Sequence, residues 1–319
     1  MSHDLHVTPY RDRDAASWDA FVDRADNGHF QFRRAYMDYH RDRFADASVM
    51  VRRGSKTVAL FPAARVPGTE GREVVSHAGL TFGGPLLAGA SSATGIAALA
   101  AIESHYRAAG VARLGCKPLP DLMCARPRGD LAYALHRRGW QLTRRELSSV
   151  IDLSAPPAYA RGRKDNLRKA RAAGLVGVEA ADPRGLWPLI ERVLADRHST
   201  RPTHDLSEIT RLHAAFPHAI RLHEARAAEG GPPLAGAVLF LNGDTVHTQY
   251  LASGEAGRGV GALDFLIDAL IEAHRPTHRL FSFGISTEDA GRTLNEGLLA
   301  QKEGFGATGI CHDRYDIAL

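Results

Sequence analysis

The same series of local patterns occurs twice along this chain, and that repetition limits the fold more than any single motif does. In the first half, β-like runs over residues 48–52 and 57–63 flank the turn residues Gly54 and Ser55. The stretch VVSHAGLTFGGPLLAGASS then passes from a short strand through a glycine-rich loop into a helix over about 93–109. Ile96, Leu99, Ala100 and Ile102 fall on or near one face of it, and ARLGCK supplies the next strand. In the second half, β-like runs at 221–225 and 234–241 precede Asn242-Gly243-Asp244, a strong hairpin signal, and the run 245–251. SGEAGRGVGA leads into a helix over about 262–273, whose Leu263, Leu266, Ile267 and Leu270 recur at i, i+3, i+4 and i+7, and a strand at 279–283 closes the series. The repeat is one of order, without residue-by-residue identity. It predicts an α/β chain of two similar domains in tandem, 1–155 and 156–319, divided near the Pro156-Pro157 pair.

Composition excludes several alternatives. With 319 residues, 44% hydrophobic and 24% charged, the chain is neither disordered, collagenous nor a coiled coil. It has no uninterrupted apolar stretch of the roughly 18–20 residues a membrane span requires, and MSHDLHVTPYRDRDAASWDAF lacks a basic-then-apolar leader, so a cytoplasmic location is expected. Cys116, Cys124 and Cys311 are too few and too irregularly spaced for a disulfide scaffold or a paired zinc site, which predicts reduced, buried thiols. A net charge of +4 is no nucleic-acid footprint. Of forty basic residues only five are lysine, so Lys302 and Lys164 stand out from an arginine-rich background.

Three segments are suited to chemistry. The first is the glycine-rich turn between a strand and a helix, an arrangement that presents free N–H groups and a positive helix end to a phosphate. Gly257, Arg258, Gly259, Val260 and Gly261 form its core. Their spacing matches neither a dinucleotide fingerprint nor a P-loop, and a flexible connector is the competing reading. Next comes YARGRKDNLRKARAAG, where Arg161, Lys164, Arg168 and Arg171 recur at helical spacing with only Asp165 among them. Such a stripe is either a phosphate-reading face or a solvated one. Third is LFSFGISTEDAGRTLNEGLLAQKEGFG, in which a strand ending at Gly284 delivers Ser286, Thr287 and Glu288 to a loop at its carboxyl end. Lys302 follows on a helix beginning near Leu294. The sixteen histidines include no HExxH, so no metal site is predicted, and there is no GxSxG elbow. His77 beside a glycine-rich loop, and His247 in a strand with Tyr250, are candidate pocket residues.

Taken together, DYHRDRF at 38–44, SHAGLTFGG at 76–84, RKDNLRKARAAG at 163–174 and FGISTEDAGRTLNEGLLAQKEGFG at 283–306 resemble the Fem-like tandem branch of the GNAT acyltransferase superfamily. The glycine turn is similar to the RxxGxG/A pyrophosphate loop of GNAT enzymes, with Ala256 where the leading Arg or Gln would stand. The resemblance implies two GNAT-like α/β domains with mixed sheets flanked by helices, a cleft between them, a donor bound at the second domain and an amine acceptor. Lys302 with Phe305-Gly306 matches a family lysine that helps neutralise charge in the reacting complex. The long coiled-coil arm of some Fem enzymes is absent, and Ser282 stands where an acidic residue is usual.

These features lead to an N-acyltransferase that takes its acyl group from acyl-CoA as donor substrate, with no tightly bound cofactor, and passes it to the amine of a small molecule or an envelope-sugar or secondary-metabolite precursor. His247, Glu288 or an ordered water would accept the amine proton; Tyr250 or Tyr315 would protonate the leaving group. His77, Phe82 and Ser286 are candidate substrate-binding residues. The alternatives are an aminoacyl-tRNA-dependent transferase, whose basic stripe meets tRNA, and a non-catalytic binding protein that kept the fold.

Overall fold

The computed structural model describes residues 5–198, 200–227 and 230–319. The chain divides into two compact units, one of Met1–Glu146, Asp289–Arg292 and Cys311–Leu319, the other of Leu147–Glu288 and Thr293–Ile310. It passes to the second unit within the strand Gln141–Asp152 and returns within the strand Thr308–Ala318. Pro156-Pro157 instead marks the connection from the first of these strands to the helix Arg161–Ala172. Two prolines interrupt hydrogen bonding locally, whereas a strand can run unbroken from one core to another.

The first unit holds an antiparallel sheet of Leu5–Pro9, Val49–Arg53, Lys56–Phe61 and Leu86–Leu87. Gly54, at φ 58°, supplies the left-handed turn of its predicted hairpin. Glu73–Ser76 runs parallel to Arg113–Cys116, against which the C-terminal strand lies antiparallel with Tyr315 opposite Cys116. The helix Ser92–Ala108 starts where Ser91 accepts the Thr94 N–H, satisfying one of the donors a helix start leaves free. Its Leu99 and Ile102 bury against Val51, Phe61 and Leu114, side chains each worth roughly 1.5–3 kcal/mol when removed from water. Trp18, Phe21 and Val22 are the buried face of Ala15–Arg24. Cys116 and Cys124 are buried free thiols, while Cys311, expected buried, is exposed.

The second unit is ordered Gln141–Asp152, Leu280–Ile285, Thr245–Ser253, Pro233–Asn242, Ile220–Arg226 and Val176–Glu179. The turn Gly243-Asp244 closes the predicted hairpin, with Asn242 opposite Thr245 and Gly243 at φ 56°. Helix Ala262–His274 crosses over to make Thr245–Ser253 and Leu280–Ile285 the parallel pair, and its Leu266, Ile267, Leu270 and Ile271 fill the core. Parallel pairing covers only Thr245 with Leu280, Val246 with Phe281 and His247 with Ser282. Beyond that point Thr245–Ser253 runs on alone on this side. On its antiparallel side the register with Pro233–Asn242 shifts between Val238 and Leu239, which leaves Gln249 as the extra residue of a bulge.

Candidate active site

Gly261 opens the helix Ala262–His274 at φ 72°, and an added Cβ there would come within 2.6 Å of the Asn166 carbonyl oxygen. Gly257 is needed for another reason, since a Cβ would meet the Leu234 carbonyl oxygen at 2.1 Å. It belongs to a short helix, Glu255–Gly259, formed inside the segment that the sequence predicts as loop. Gly259 has open space around it. The segment borders a cavity of about 540 Å³, lined by Gly257, Arg258 and Gly261, by Arg163 and Asn166 of Arg161–Ala172, and by one face of the helix Glu296–Glu303. Gly259 and Val260 do not line it; Val260 packs against the core instead.

Asp264, 4% exposed, also lines this cavity. Its carboxylate accepts from Arg163 Nη1 at 2.5 Å and from Asn166 Nδ2. Sequence reasoning missed all three residues. Arg163 and Asn166 lie out of phase with the basic stripe, on the side of the helix nearer the buried Leu167 and Ala170, and that phase is the signal that could have found them.

The stripe itself is on the outward face. Arg161, Lys164, Arg168 and Arg171 are exposed, and none lines the cavity. Arg168 pairs with Asp165 and Arg171 reaches Asp268 at 3.4 Å, while Arg161 and Lys164 have no ion pair among the described residues.

A second polar cluster forms where parallel pairing ends. Gly284, at φ 74°, bends the strand so that its carbonyl and that of Ile285 accept from Lys302 Nζ at 2.8 and 2.7 Å, with Ser286 Oγ at 2.8 Å. Burial pushes the Lys302 ammonium down to about 8. Lys302 does not line the cavity, although Gly297, Leu298, Ala300 and Gln301 of the same helix do. His247 shares a hydrogen bond with Ser282 Oγ at 3.0 Å, and its Cε1 lies 3.4 Å from where a Cβ on Gly284 would be. Burial, with the Lys302 charge second, lowers its pKa to about 4, so the imidazole is neutral at neutral pH.

Other predicted residues take different places. Glu288 is exposed and accepts from Asn295 Nδ2 at 2.9 Å; Asn295 in turn caps the Lys302 helix by accepting the Leu298 N–H. Tyr250 shares a hydrogen bond with His204 Nδ1 at 2.8 Å and meets the Trp187 ring edge-on, and burial raises its pKa. His77, Phe82 and Tyr315 belong to the first unit. His77 is buried, accepts the Gly79 N–H at 3.2 Å, and is pushed down to about 3 by burial and then by His40. Phe82 packs on His29 and His312, and Tyr315 donates to Asp313 at 3.1 Å. Among the described residues no cluster of histidine, cysteine or carboxylate side chains could hold a metal ion, and no helix is long and apolar enough to cross a membrane.

Residues 158–290 match the acetyltransferase (GNAT) domain family. No curated protein matches the chain in sequence. Among solved structures, FemX superposes with a TM-score of 0.71 at 13% identity, covering 98% of this chain and 97% of that one. L-PGS from Bacillus licheniformis gives 0.63 at 14% identity over 96% and 91%. A tandem GNAT protein from the clavulanic acid biosynthesis pathway gives 0.52 at 14% identity over 99% and 98%. Residues 158–290 therefore match a GNAT acetyltransferase domain, and the chain over nearly its whole length shares its fold with FemX and the tandem GNAT protein.

Proposed function

We propose that this chain is an N-acyltransferase that takes its acyl group from acyl-CoA and passes it to the amine of a small molecule, such as an envelope-sugar or secondary-metabolite precursor. The observation that carries this reading is the cavity of about 540 Å³, where the glycine turn, the start of Ala262–His274 and the helix bearing Lys302 meet. A strand–turn–helix junction offers N–H groups to phosphates, and the end of parallel pairing at His247 and Ser282 leaves strand edge for an extended donor arm.

The chemistry asks little of the protein. The amine nitrogen attacks the thioester carbonyl, an oxyanion forms, and the C–S bond breaks as the amine proton leaves and the thiolate gains one. Lys302 supplies positive charge near the strand end, held by carbonyl dipoles that do not neutralise it. Neutral His247 serves as a hydrogen-bond acceptor and orienter, its low pKa making it a weak proton sink. Tyr250, kept protonated by burial and held by His204, is the better candidate for donating to the leaving thiolate. Glu288, committed in part to Asn295, supports the helix that positions Lys302.

An aminoacyl-tRNA donor is the second reading, favoured by the exposed cations Arg161 and Lys164, which have no ion pair among the described residues. Incubation of the protein with an acyl-CoA panel, charged tRNA and an amine library, read by mass spectrometry, tests both. Amide products with free CoA released support the first reading. Products only with charged tRNA replace it with the second, and donor binding without turnover leaves a binding protein.

A further inference from the structure

Arg163 is held at its guanidinium. Its guanidinium carbon lies 5.4 Å from the centre of the Phe305 ring, its Nε would be 3.3 Å from a Cβ on Gly304, and its Nη1 holds Asp264 at 2.5 Å. Asp264 is the third residue of Ala262–His274, where first-turn N–H groups have no intrahelical acceptor and negative charge is favoured. Both side chains line the cavity. The chain thus places its own carboxylate, almost wholly buried, where a ligand phosphate would find a guanidinium, an amide and a helix start.

We propose that Asp264 is an internal stand-in for the donor's phosphate and that Arg163 is the residue that reads that phosphate when the donor binds. This deepens the acyl-CoA reading and rests on it for the identity of the donor. A partly buried arginine without an anion is unfavourable, so a carboxylate beside it stabilises the empty site. The same carboxylate opposes an entering anion by like charge and by holding the guanidinium. Donor affinity is therefore set by the difference between two anions competing for Arg163. The exposed stripe from Arg161 to Arg171 is outside this exchange. Asn166, bound to the other carboxylate oxygen, keeps Asp264 in place once Arg163 has turned to the phosphate.

The test compares wild type, Asp264→Asn and Arg163→Gln by calorimetry and thermal shift, with inorganic pyrophosphate and CoA as probes at low salt. Asp264→Asn should lower the Tm of the free protein yet bind pyrophosphate and CoA at least tenfold more tightly, and Arg163→Gln should lose at least tenfold. A structural ion pair would give the Tm loss alone, so unchanged or weaker binding by Asp264→Asn overturns the proposal. If wild type binds and turns over acyl-CoA but Asp264→Asn does not differ in affinity, the stand-in role falls and the acyl-CoA reading survives. If Asp264→Asn gains pyrophosphate but no acyl-CoA is used by either protein, the stand-in role holds and the donor identity falls. No binding of either probe to any of the three overturns both.

Discussion

Lys302 Nζ lies 2.8 Å from the Gly284 carbonyl oxygen, and among the described residues no carboxylate pairs with it. Its three protons go to two backbone carbonyls and one hydroxyl, which orient the ammonium without cancelling its charge. In the proposed reaction the field of this cation would act on an oxyanion developing near the strand end, and the same contacts hold the bend at Gly284.

Replacement by methionine removes both effects. Lys302→Met should lower kcat by on the order of a hundredfold with a smaller change in donor affinity, the pattern of an interaction strongest in the transition state. Lys302→Arg should recover little, since a planar fork cannot reproduce three contacts to the same strand bend. Steady-state kinetics with the identified donor measures this, and wild-type turnover by Lys302→Met removes the residue from the reaction.

The same lysine predicts a pH dependence. With its pKa lowered to about 8, the folded chain releases this proton earlier than the unfolded chain, whose lysine titrates near 10.5. Between about pH 8 and 10.5 the unfolded state binds more protons, so this group's contribution to stability rises with pH across that window. Activity should move the other way, falling above about pH 8 as the ammonium is lost. A kcat profile flat through pH 8 to 9.5, with the protein folded, would separate Lys302 from the chemistry.

Two buried histidines give the opposite limb. His77 is held near 3 and His247 near 4, against 6.5 unperturbed, so each takes up a proton on unfolding as the pH falls below 6.5. Stability should fall on acidification from pH 6.5 towards 4, each histidine contributing at most about 1.4 kcal/mol per pH unit. His247→Gln, which retains a partner for Ser282, should flatten part of that slope in urea titrations; an unchanged slope would mean His247 is not buried neutral.

Much of this fold was legible because hydrophobic periodicity and turn chemistry agree. Asn242-Gly243-Asp244 and Gly54 mark real hairpins, and the helices at Ser92–Ala108 and Ala262–His274 follow their apolar spacing closely. The change of unit was not legible, because it falls inside strands whose residues read alike on either side of Glu146. Lys302 and Ser286 stand out in the sequence by their position after a strand end, and in the structure the two side chains meet. Asp264 was hidden by its apolar helix, and Arg163 by the more regular stripe beside it. An ion pair between helices 101 residues apart in sequence leaves no local periodicity to read.

The outward stripe separates the two donor readings. Arg161→Glu with Lys164→Glu alters two exposed side chains that have no ion pair among the described residues, so stability should change by no more than about 0.5 kcal/mol for each. With acyl-CoA, affinity should hold nearly constant and log Kd should vary shallowly with log salt. Were charged tRNA the donor, the double variant would bind it more weakly and with a shallower salt slope than wild type. Kd measured from about 50 to 300 mM salt decides between them, on the order of magnitude expected for phosphate contacts.

The glycines of the turn should not behave alike. Gly261→Val forces a branched side chain into φ 72° and against the Asn166 carbonyl, and Gly257→Val drives one into the Leu234 carbonyl, so both should lose stability whatever they bind. Gly259 is open on all sides and has no such constraint. Gly259→Val therefore tests whether the donor reaches past the cavity lining to the turn: the Tm should stay within a few degrees, and phosphates that pass over the turn would meet the added bulk and raise the donor Kd about tenfold, roughly 1.4 kcal/mol. Equal donor binding by a folded Gly259→Val protein would show that the phosphates approach the cavity only from the Arg163 side, and would leave the glycine turn as a device for packing the short helix Glu255–Gly259 against its strand.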